Sequence, residues 1–195
     1  MEPSGRPPRL LLYHKSAGEI VSRDDPRGRP TVFQRLPALR GSRWIAVGRL
    51  DFNTSGLLLF TDSGDLAHQL MHPRFAMKRE YAVRVMGKLS ESQKTLLLEG
   101  VKLEDGMGRF DLLEEAGGEG ANKWYRVVLH EGRNREIRRM FAAVGMTVSR
   151  LMRVAFGDIK LPRSLRQGQY RELSPGDVQA LLRQKAGGPR PALRI

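Results

Sequence analysis

Asp51 stands in the segment GRLDFNTSGLLLFTDSGD, two residues after Arg49 and just ahead of an apolar run that can hold it rigidly. A carboxylate held that way can serve as a nucleophile or as a base. Taken alone, however, an aspartate in a polar turn is more often a local cap that bonds its own backbone. In EGRNREIRRMF, Arg133, Arg135, Arg138 and Arg139 supply guanidinium groups suited to phosphate, although arginines on one helix face are as readily just solvated. Tyr81 in KREYAVRVMG offers an aromatic ring, and in isolation it reads as a core tyrosine on a strand. His68 and His72 have the i, i+4 spacing that lets two imidazoles meet one metal. The glutamate of the HEXXH pattern is replaced by Gln69 and the chain has only 4 histidines, so no metal site is expected. No G-x-S-x-G elbow or phosphate-binding glycine loop is present.

The composition narrows the partner. Against 21 Asp and Glu stand 34 Lys and Arg, a formal charge of +13 that calls for a polyanion. Arginine far outnumbers lysine, which favours nucleic acid over a membrane surface. No apolar run approaches ~20 residues and no signal peptide pattern opens the chain, so a cytoplasmic location is expected. With 0 cysteines, disulfides, thiolate metal sites and cysteine nucleophiles are excluded. A length of 195 residues with 40% hydrophobic content suits one domain or two fused halves.

The positioning elements follow from periodicity. Strands are expected over Arg9 to Lys15, Trp44 to Val47 and Gly56 to Asp62, the last two as short runs buried on both faces. Between the first two, residues 23–43 form a basic stretch that Val32, Phe33, Leu36 and Leu39 should tack onto a core as an ordered loop. A short helix over Asp65 to Met71 should bury Leu66, Ala67, Leu70 and Met71 and stop before Pro73. Strict alternation puts Tyr81, Val83 and Val85 on one face of the next strand. Ser90 with Gln93 forms a capping box, and Gly100 should supply a left-handed helix exit. Strands near Gly108 to Glu115 and Lys123 to His130 are expected to flank AGGEG as a hairpin loop. From Arg135 to Val144, an apolar stripe of Ile137, Met140, Phe141 and Val144 predicts a helix with its arginines opposite. A strand through VSRLMRVAF and a helix capped by Ser174 follow. The expected class is α+β, a largely antiparallel mixed β-sheet with flanking helices.

In combination, these segments resemble the pseudouridine synthases. The G-R-L-D-x-x-T-x-G-L-L-L-x-T-x-x-G-x-L core, the R-E-Y strand and the G-R-N-R-E-I-R-R helix start are similar in order and spacing to the RsuA-type branch. GRPTVF, RLPALRG, WIAVGRLD, GGEG and VSRLMRV extend the likeness to the members of that branch that act on the large ribosomal subunit, over Arg9 to Leu182. Three departures stand out. Members usually begin with a small S4 RNA-binding domain, and only about eight residues precede the first strand here, so that module is expected to be absent. Ser16 follows Lys15 where proline is common, and the turn after the third strand reads DSGD. Glu136 stands where most members carry glutamine, but those acting on the large ribosomal subunit are similar to this chain there.

The resemblance implies a catalytic domain over residues 9–183, with an extension over 1–8 and a basic, disordered tail over 184–195. It implies an isomerase that flips a uridine out of ribosomal RNA, most directly the large-subunit precursor, and reattaches the base through carbon without cofactor or metal. Asp51 would be the essential carboxylate, with the Arg138 guanidinium paired to it. Tyr81 would stack on the flipped base, its hydroxyl assisting a proton transfer, and Ile137 would pack the other side of the pocket, though Ile137 equally suits plain core packing. Arg49, Arg133, Arg135 and Arg139, with the basic loop, would contact phosphates. A monomer is expected. The rivals are a noncatalytic rRNA-binding assembly factor and a synthase for small-subunit rRNA or tRNA.

Overall fold

A computed structural model describes residues 6–72 and 77–184. The chain divides into two compact units, Met1–Met77 with Gly157–Ile195, and Lys78–Phe156 inserted between them, where a single domain over 9–183 is the expectation. Most of the expected tail lies outside the described residues.

In the first unit, β1 (Leu10–Lys15) pairs antiparallel with β3 (Ser55–Thr61), with Tyr13 opposite Leu58 and Lys15 opposite Gly56. All residues of both strands are buried, as their unbroken apolar runs require. The short strand β2 (Ile45–Val47) pairs with β3, and β11 (Tyr170–Glu172) with β1. Leu11, Tyr13, Leu58 and Phe60 form a core with Val32, Trp44 and Leu50, onto which Phe33, Leu36 and Leu39 pack. The basic loop is therefore anchored as its apolar residues foretell. It carries one 3₁₀ turn at Val32–Arg35, and Trp44 donates its indole N–H to the Pro37 carbonyl at 2.8 Å. Helix α1 (Gly64–Met71) is capped by the Ser63 hydroxyl, which accepts from the Leu66 amide at 3.1 Å. Leu66, Ala67 and Leu70 are buried as expected, but Met71 is not, because it falls on the last turn beyond the packed stripe. At the other end, α4 (Pro175–Gln184) is capped by Ser174, whose hydroxyl accepts from the Asp177 amide.

In the second unit, β9 (Val148–Phe156), β4 (Arg79–Met86), β8 (Asn122–Leu129) and β7 (Leu112–Glu119) lie side by side in that order, each described pairing antiparallel. Tyr81, Val83 and Val85 face a core that also takes Ile137, Met140 and Phe141 from α3 (Glu136–Ala143) and Leu97 from α2 (Glu91–Glu99). The Ser90 and Gln93 capping box forms, and the Gln93 amide also donates to the Val144 carbonyl at 2.8 Å, tying the start of α2 to the end of α3.

Three local expectations are corrected. Gly100 closes α2 at φ 135°, ψ 139°, an extended conformation open to glycine rather than the left-handed helical one. AGGEG is not a loop: β7 runs through it with a bulge between Glu115 and Gly118, and the chain turns at Gly120. A separate hairpin, β5 (Val101–Leu103) with β6 (Gly106–Gly108), precedes β7, its strands too short to show a period.

Candidate active site

Asp51 opens a β-turn: the Thr54 amide donates to the Asp51 carbonyl at 3.0 Å, leaving Phe52 and Asn53 at the two corners. What fixes this turn comes from β1. Period-two alternation puts Lys15 on the face shared with Tyr13, and there its ammonium is fully buried. It donates to the carbonyls of Thr54 at 2.7 Å, Ser16 at 2.9 Å and Phe52 at 3.3 Å. Three carbonyls thus replace its water shell, and two of them belong to the Asp51 turn. The Gly18 amide, at φ 95°, adds a 2.7 Å bond to the Phe52 carbonyl.

Behind Lys15 sits a second buried charge. The Tyr13 hydroxyl lies 2.8 Å from both carboxylate oxygens of Glu19, and the Ser16 amide donates to the same group at 3.0 Å. Burial pushes the Lys15 ammonium down to about 8, against the upward pull of the Glu19 and Asp51 charges. Asp51 is therefore close enough to be felt by a buried cation that also grips the backbone of its turn. Arg49, two residues before Asp51, is exposed.

The other expected residues lie in the second unit. Tyr81 is 8% exposed on β4, opposite Arg153 of β9, and Ile137 belongs to the same core. Two arginines close to Tyr81 escape a sequence reading. Burial lowers the pKa of Arg79, Tyr81 pulls it back up and Arg153 adds to the lowering. Both guanidiniums lie over the Phe156 ring, at 5.3 Å and 5.2 Å. Gly132 makes room for this, since a Cβ there would come within 3.1 Å of Arg79 Nε.

Arg135, the N-cap residue just ahead of α3, adopts the left-handed conformation at φ 50°. Arg138 is half-buried one residue after Ile137. Arg133 and Arg139, expected at phosphates, hold protein carboxylates. Arg139 grips both Asp105 oxygens, at 2.7 Å and 3.0 Å, while Arg133 spans Asp105, Glu131 and the buried Glu136. Burial, then Glu131, raises the Glu136 carboxyl to about 7, with Arg133 opposing. His68 and His72 lie with ring centroids 5.4 Å apart, and among the described residues no group of three metal-ligating side chains of the His, Cys, Asp and Glu type comes together.

Residues 9–143 match the family described as RNA pseudouridylate synthase. Ribosomal large subunit pseudouridine synthase B of Salmonella typhi is 59% identical over 165 residues, covering 85% of this chain and 57% of that protein. The protein of the same name from Escherichia coli strain K12 is 58% identical over the same shares. The chain thus spans a little over half the length of these curated relatives. A solved structure described as a pseudouridylate synthase superposes with a TM-score of 0.76 at 28% identity, covering 90% of this chain and 74% of that one. A match over this much of the chain, carrying the turn of Asp51, the strand of Tyr81 and the helix of Arg138, makes the protein a member of the RNA pseudouridylate synthase family.

Proposed function

We propose that this protein isomerises a uridine to pseudouridine in large-subunit ribosomal RNA, with Asp51 as the reacting carboxylate. The observation that carries the reading is the Asp51 turn, whose carbonyls at Phe52 and Thr54 are both clamped by one buried ammonium. Family membership and the net charge of +13 support it. In the reaction the N1–C1′ bond of uridine breaks, the base rotates, and a C5–C1′ bond forms; the C5 proton leaves and N1 gains one. Atoms and charge balance without redox chemistry. A rigid anion is useful here as a nucleophile or as the base that removes a proton, and preorganisation is what a fixed turn supplies.

Tyr81 and Arg138 carry the roles the family likeness gives them, and Ile137 lines the base. Arg49 and Arg135 contact the backbone, with Arg133 and Arg139 using donors left over from Asp105 and Glu136. The everted base gives up stacking worth a few kcal/mol, which an aromatic face can largely replace. The protein works as a cytoplasmic monomer. The test is to incubate it with unmodified transcripts of large-subunit rRNA, small-subunit rRNA and tRNA and to map pseudouridine in each. Modification at one site in the large-subunit transcript is expected. Modification confined to another transcript overturns the substrate, and none in any transcript, with RNA bound, leaves the noncatalytic assembly factor.

A further inference from the structure

Beside Asp51, the chain displays an aromatic ring that the reaction itself does not use. Phe52 occupies the first corner of the β-turn and is 43% exposed. A single exposed phenylalanine is ordinary on a protein surface. This one is built into place. Its carbonyl is held by the Gly18 amide and the Lys15 ammonium, so the backbone beneath the ring is fixed.

The ring is also covered on one side by a cation. The Arg29 guanidinium lies 5.4 Å from its centroid. Arg29 is not a mobile surface arginine: its Nε and Nη2 donate to the two Asp25 oxygens at 2.8 Å and 3.2 Å, and its backbone amide donates to Asp25 at 2.7 Å. A further donor, the Arg27 amide at 3.2 Å, completes the Asp25 turn. The guanidinium plane is thereby set before any ligand arrives, and it sits in the basic loop that follows β1.

We propose that Phe52 and Arg29 form a stacking platform for the nucleobase next to the target uridine, a subsite that holds the flanking nucleotide while its neighbour is everted. The inference rests on the proposed activity for the identity of the RNA, and on the geometry of one turn for the rest. Phe52 follows Asp51 directly, and consecutive Cα atoms are about 3.8 Å apart, so a strand presenting one base to Asp51 brings the adjacent base over Phe52. A ring stacks on any base, and a guanidinium prefers a polyanion, so the occupant is RNA and not an apolar peptide. The platform favours residence of the strand without reading its sequence.

The experiment measures RNA binding in an Asp51→Asn background, where turnover cannot interfere. The probes are a short single-stranded RNA containing the uridine and the same strand with the adjacent nucleotide abasic. Phe52→Ala is expected to weaken binding of the intact strand roughly 5- to 100-fold, the range for loss of one stacked base. Phe52→Trp retains affinity, and Phe52→Leu, similar in apolar bulk but without a ring, does not. On the abasic strand, Phe52→Ala and its parent bind alike. Thermal melts confirm that each variant folds. Unchanged affinity in Phe52→Ala, or full rescue by Phe52→Leu, overturns the platform. Phe52-dependent binding in a protein that never makes pseudouridine overturns the activity and leaves the platform, whereas normal turnover with Phe52-independent binding does the reverse.

Discussion

Lys15 shows how one side chain can set both stability and site geometry. Replacing it with methionine leaves the carbonyls of Ser16, Phe52 and Thr54 without their shared donor, and a buried unsatisfied polar group costs ~1–3 kcal/mol. Lys15→Met should therefore destabilise by about 3 kcal/mol in urea unfolding and slow pseudouridine formation by loosening the Asp51 turn. Its pH signature has a definite sign. Burial holds the ammonium near 8 against an ordinary 10.5, so between those values the unfolded chain binds more protons than the folded one. Wild type should therefore gain stability relative to Lys15→Met as pH rises from 8 to 10, before Tyr13, pushed up from 10.0 by burial, adds its own effect. Glu136 behaves oppositely. Its carboxyl, raised from 4.5 to about 7, favours the protonated fold, so its contribution is complete below pH 4.5 and is lost as pH rises through 7. Glu136→Gln should fold and lack that slope, measured by urea unfolding at successive pH values.

At the scale of elements, the bulge in β7 makes a sharp prediction. A Cβ on Gly118, at φ 140°, would meet the Asn122 carbonyl and come within 2.9 Å of Lys123 Cα, whereas one on Gly117, at φ 93°, meets nothing. Gly118→Ala should cost about 2 kcal/mol or more in thermal unfolding, and Gly117→Ala about 1 kcal/mol from backbone strain alone. This bulge is also where the sequence misleads, because a run of glycines looks like a turn, and only pairing with β8 draws it into a strand. Elements with a sustained period were legible: the alternation of β4, the apolar stripe of α3 and the capping box of α2 all stand where the residues put them. The β5 and β6 hairpin was not, since three-residue strands carry no period. Asp51 was singled out by its motif, yet Lys15, which holds its turn, was invisible because its burial depends on a strand neighbour far along the chain. Arg153 was missed for the same reason: its place opposite Tyr81 is a property of strand pairing, not of spacing. Arg79, two residues before Tyr81 on the same strand, was missed although period-two alternation puts it on the face of Tyr81.

For the molecule as a whole, a charge of +13 ties function to ionic strength. RNA affinity should fall linearly with salt on logarithmic axes, and removing one phosphate contact should reduce the slope by about 0.7 to 0.9. Arg135→Asn, which keeps a residue tolerant of the left-handed conformation, is expected to show that change with little loss of stability. Arg133→Ala should instead destabilise, because it strips Asp105 and Glu136 of a shared cation. In the proposed reaction, all of these effects modulate a step that depends on one carboxylate. The most direct measurement is the single-turnover rate of pseudouridine formation by Asp51→Asn at RNA concentrations where wild type and variant are equally occupied. A rate lost by at least ~10⁴-fold with affinity and melting temperature preserved is the predicted result; a variant that isomerises uridine at close to the wild-type rate would contradict the account.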